Sequence, residues 1–81
     1  MELEEAQELF EEIVELCYET ENPRLIEVVE SIYSEVSNAT EVSKIIISCV
    51  ELQVAINEED FTDEEEDAIS EIQEMIESLS E

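Results

Sequence analysis

The apolar residues of this chain recur at alternating spacings of three and four, and they do so in four separate stretches. Leu3, Ala6, Phe10, Ile13 and Cys17 form the first seam, and Leu25, Val29, Ile32 and Val36 the second. Val42, Ile45, Cys49, Leu52 and Ile56 form the third, and Ile69, Ile72, Ile76 and Leu79 the fourth. That rhythm holds side chains on one face of a 3.6-residue helix and scatters them across both faces of a strand. Neighbouring apolar residues widen the seams: Leu9, Val14, Leu16 and Tyr18 in the first, Ile26, Val28 and Tyr33 in the second, Ala68 and Met75 in the fourth. The chain has no glycine and one proline, which suits helices on short connections and suits tight hairpins poorly. The fold class is all-α.

Breaks in the pattern place the helix ends. Asn22 is a good N-cap and Pro23 fits a first helical turn, where its missing N–H is not needed. Ser37 and Asn38 can close the second helix, with Asn38 as a left-handed terminal residue, and Thr40 is positioned to cap the third. Thr62 and Glu65 have the Ser/Thr-x-x-Glu spacing of a capping box, followed by a first turn crowded with acids. The expected helices are 2–20, 23–37, 41–57 and 63–79, within a single domain of residues 1–81. The stretch "IIISCV" also has strand propensity, but its seam runs unbroken from Val42 to Ile56, longer than an ordinary strand. Four similar helices on short loops favour a small antiparallel four-helix bundle, up-down-up-down. Two helical hairpins packed at a steeper angle are the alternative.

Charge is the second constraint. Twenty-six acidic residues face two basic ones, a net charge of −24, which is the balance of a disordered acidic chain. The 43% apolar content, periodically placed, argues instead for a folded domain. This surface repels phosphate backbones and anionic lipid, and no apolar run reaches the roughly 18–20 residues of a membrane span, so direct binding to nucleic acid or membrane is not expected. The acids are unevenly spread: residues 1–22 hold nine, residues 58–81 hold twelve, and residues 23–57 hold five together with Arg24 and Lys44. In an up-down bundle the first and last helices are neighbours. Glu5, Glu8, Glu12, Glu15 and Glu19 would then merge with Asp67, Glu74, Glu77 and Glu81 into one acidic face. Such a face suits docking on a basic protein or imitation of a nucleic acid's charge density; equally, it can serve solubility alone.

The third helix carries a second apolar stripe. Ile47, Val50 and Val54, continued by Ser43 and Asn57, keep the same alternating spacing on another face, with Ile46 between stripe and seam. Either the helix is central and covered on both sides by its own chain, or the stripe is a seam for self-association or a partner. The second reading makes Ile46, Ile47, Val50 and Val54 an interface. A two-fold homodimer is the commonest closed form of such an assembly. The stripe lies in the nearly neutral half, whose outward positions include Ser31, Ser34, Ser37, Ser43 and Ser48.

Catalytic chemistry has little to build on. Histidine, a glycine-rich phosphate loop and a nucleophile elbow are all missing. Solvated carboxylate pairs lack the burial that would separate them into acid and base. Residues 60–67 are acid-rich but lack the glycine and ligand order of a calcium loop. Cys17 and Cys49 sit on seams without zinc spacing, and the expectation is buried, reduced thiols in a cytoplasmic protein without cofactor or metal. The sequence therefore points to a non-enzymatic, acidic protein–protein interaction module that self-associates through its third helix. The alternative is an acidic inhibitor, or nucleic-acid mimic, that fills a basic cleft.

Overall fold

A computed structural model describes residues 1–80. Four helices occupy almost the whole of it: α1 (Leu3–Thr20), α2 (Pro23–Ser37), α3 (Val42–Glu58) and α4 (Asp63–Ser80). Each end falls within one residue of its position in the hydrophobic pattern. Helices of 15 to 18 residues are about 23–27 Å long, and the molecule measures 35 × 22 × 19 Å, so all four run along its long axis. α1 packs against α2 and α4, and α3 packs against the same two helices. Across the diagonal α1 touches α3, while α2 and α4 stay apart. This is the up-down bundle, with the first and last helices side by side.

The four seams meet in one core. Phe10, Ile13, Leu25, Ile32, Ile45, Leu52, Ile72 and Leu79 are the large side chains at its centre, with Cys17 and Cys49 buried among them. Leu3 and Val42, the first residues of their seams, are half-buried, as is Ile76, which lines a groove against α3. Tyr18 and Tyr33 depart from expectation, being 46% and 44% exposed on the α1–α2 side. Their rings lie at the edge of the core with the polar end towards the surface, as amphipathic side chains commonly do. Ser48 departs in the opposite sense. It is buried at 7% exposure with its Oγ 3.4 Å from Glu35 Oε2, because it flanks the core on the side of α3 that faces α2. Ala55, seven residues further on and also small, is buried on the same side of α3.

Asn22 caps α2 as its type predicts, its side chain accepting from the N–H groups of Arg24 at 3.0 Å and Leu25 at 3.3 Å. Thr62 and Glu65 form the reciprocal box: Thr62 N–H donates to Glu65 Oε1, and Glu65 N–H donates to Thr62 Oγ1. Two other ends differ. α3 starts after Glu41, not Thr40, and its N-cap makes no side-chain hydrogen bond. Asn38 stays right-handed (φ −96°), and the left-handed residue is Glu21 (φ 56°), which turns the chain out of α1 while its N–H bonds Tyr18 O. With no glycine to absorb that conformation, a hydrogen-bonded Thr20 braces the corner, its Oγ1 donating to Cys17 O and accepting from Asn22 N–H.

The caps give a stability test. Thr62→Ala is expected to cost roughly 1 kcal/mol in urea unfolding, whereas Thr40→Ala stays within about 0.5 kcal/mol. Equal losses at the two sites would contradict this assignment of helix starts.

Candidate interaction faces

The two charged outer helices lie side by side as the topology requires. Glu5, Glu8, Glu12, Glu15 and Glu19 of α1, and Asp67, Glu74 and Glu77 of α4, are all solvent-exposed. Glu81 lies outside the described residues. Where the end of α1 meets the start of α4, an open groove is lined by Glu19, Glu21, Glu64, Glu65, Asp67 and Glu71 over Leu16 and Ala68. Among the described residues the one ion pair lies elsewhere, between Arg24 and Glu58 at 3.0 Å. Among the described residues no three acids converge in a geometry that could hold a metal ion. The acidic face is therefore a broad field of like charge, destabilised by its own repulsion and screened by salt.

The stripe on α3 faces solvent. Ile47 is 67% exposed, Val50 55% and Val54 47%; Met1 and the two tyrosines are the other large apolar side chains exposed to this degree. Ile46 is half-buried against the core at the stripe's edge. The side chains of Ile46, Val50, Gln53 and Val54 on α3 and Ile76, Glu77 and Ser80 on α4 line a shallow groove of about 610 Å³. Three of the four sequence-predicted interface residues thus share one concavity, while Ile47 projects beside it. The chain itself leaves the stripe uncovered, which removes the central-helix explanation. The sequence held a signal for this. At 100° per residue the stripe lies roughly 160° from the seam of Ile45, Cys49, Leu52 and Ile56, whereas neighbours at a bundle corner approach from either side of the core direction.

A smaller polar cluster went unnoticed in the sequence. Tyr18 of α1 donates its hydroxyl to Glu30 Oε1 of α2 at 3.0 Å, above a depression lined by Val14, Val29 and Tyr33. The carboxylate that accepts this bond pushes the Tyr18 phenol above its ordinary value. The residues are twelve apart on different helices, so only the packing of α1 on α2 joins them.

Cys17 and Cys49 are fully buried and unpaired. Burial pushes the Cys17 thiol up to about 12, with Cys49 adding to the shift, and burial alone pushes Cys49 to about 11. Thiolate is the reactive form, so both are held inert in the folded chain. Among the described residues no helix is long and apolar enough to cross a membrane. Comparison with family models, with curated proteins and with solved structures found no match.

The raised thiols fix the sign of an alkaline effect. An unfolded chain loses these protons near pH 8.5–9 while the folded chain keeps them, so stability is complete below that range and falls as pH rises towards 11–12. Denaturant midpoints should fall between pH 8 and 10.5 and fall less in a Cys17→Ala/Cys49→Ala variant that retains the fold. Thiolate absorbance appearing near pH 9 in the folded protein would contradict this.

Proposed function

We propose that this protein is a non-enzymatic interaction module that self-associates through the outer face of α3. The observation that carries the reading is the exposure of Ile47, Val50 and Val54 as one continuous stripe on the bundle's less charged half. Apolar side chains in a row on a helix favour association, because joining two such faces removes both from water. Location matters as much as apolarity. The opposite diagonal of the bundle carries α1 and its acids, so a copy approaching α3 meets the field where it is weakest. The two free, inert thiols fit a reducing compartment, which supports a cytoplasmic setting.

A second reading rests on a separate observation, the juxtaposition of α1 and α4. Their merged acids form an elongated anionic surface that meets the stripe only at Glu77, suited to a basic cleft on another protein. The two readings are compatible, since the faces they use share only Glu77. They respond oppositely to salt: screening weakens capture of a basic partner and strengthens the pairing of two copies that each carry −24.

Ile47→Asp/Val54→Asp tests the first reading. With both positions in solvent the double variant should keep the helical content and unfolding midpoint of the wild type while its sedimentation mass falls to that of one chain. A variant that remains dimeric would remove α3 from the interface, and one that unfolds would return the stripe to the core.

A further inference from the structure

We propose that α3 pairs with α3 of a second copy in the antiparallel sense, setting Lys44 of each chain against Glu51 of the other. This deepens the self-association reading and rests on it. Ser43, Ile47, Val50, Val54 and Asn57 follow one another at four, three, four and three residues, the register of a coiled-coil seam, so each has a defined flank. On one flank lie Lys44, Glu51 and Glu58, seven residues apart. The structure fixes this flank on the α2 side, because Glu58 reaches Arg24 of α2 at 3.0 Å. On the other flank lie Ile46 and Gln53, which line the groove against Ile76, Glu77 and Ser80 of α4, so that this flank carries one acid and no base.

The two flanks respond differently to the direction of pairing. A two-fold axis relating antiparallel helices brings each flank against its own counterpart, whereas parallel helices oppose unlike flanks. In a parallel pair Glu51 would face Ile46 and Glu58 would face Gln53, on the flank that also carries Glu77 of α4, while Lys44 would lie opposite Ala39, ahead of α3, with no acid to meet. In the antiparallel pair, placing Ile47 opposite Val50 of the second copy stacks the apolar residues in consecutive layers, with Val54 against Ser43. The same register brings Lys44 to Glu51 of the second copy, twice by symmetry. Lys44 is exposed and forms no ion pair within the described residues of its own chain. The one lysine in a chain of 26 acids thus borders the apolar stripe, one heptad from an acid it can meet only on another molecule.

Size sets the strength. A 17-residue helix is about 25 Å long, and a single helix face buries less than the ~800 Å² per partner of a standard interface. The pair therefore forms and dissociates readily. Charge exchange tests the orientation on the full chain by analytical ultracentrifugation, with Ile47→Asp as the reference for loss of the surface. Lys44→Glu turns both contacts repulsive and should raise the dissociation constant about tenfold. Glu51→Lys should also weaken the pair, although it lowers the net negative charge by two. The double exchange Lys44→Glu/Glu51→Lys should restore wild-type association, and an equimolar mixture of the two single variants should form heterodimers in preference to either homodimer. If Glu51→Lys tightens association, as its effect on net charge alone would, the antiparallel pairing fails while the α3 surface stands. If wild type and Ile47→Asp sediment alike as monomers, the surface itself fails, and the pairing with it.

Discussion

Burial of four apolar seams is what holds this molecule against its own charge. Twenty-six acids and two bases leave almost no attractive electrostatics, and the one ion pair among the described residues, Arg24 to Glu58, is solvent-exposed. Every helix therefore depends on its packed face. Seventeen buried apolar side chains form one continuous core, and no buried side-chain nitrogen or oxygen among the described residues lacks a hydrogen-bond partner. The fold tolerates repulsion between α1 and α4 because the core beneath those helices is uninterrupted.

That dependence explains where exposed apolar side chains stand out. α1 and α4 spend most of their outer positions on carboxylates, and Tyr18 is the one large apolar side chain they expose. α3 differs: its core seam is complete, yet its opposite face adds Ile47, Val50 and Val54. For a chain whose solubility rests on charge, a stripe of β-branched residues on a weakly charged helix is a liability unless something covers it. The proposed self-association would supply that cover with no other partner, and Lys44 and Glu51 on one flank would give it a direction.

Most of the fold was legible from spacing. The four seams gave all four helices to within one residue, and Asn22 and the Thr62–Glu65 pair gave two helix starts by side-chain chemistry. What stayed hidden depended on tertiary context. Glu21 adopts a left-handed conformation that no residue type announces in a chain without glycine. Thr40 looked like a cap, but the backbone turns into α3 two residues later. Ser48 is polar by composition and buried by its position toward α2. The stripe was visible as a pattern, and its angle of roughly 160° from the core seam carried the signal for its exposure once the bundle arrangement is assumed.

Solution mass by light scattering behind size-exclusion, over a concentration series at low and at high salt, tests the central claim most directly, since mass is independent of the expanded hydration of a strongly charged chain. A mass that rises from one chain towards two with concentration, and does so more readily at high salt, is the result this account predicts. A single-chain mass throughout, at concentrations well above those at which a one-helix interface should fill, would contradict it and leave the acidic face of α1 and α4 as the surface that matters.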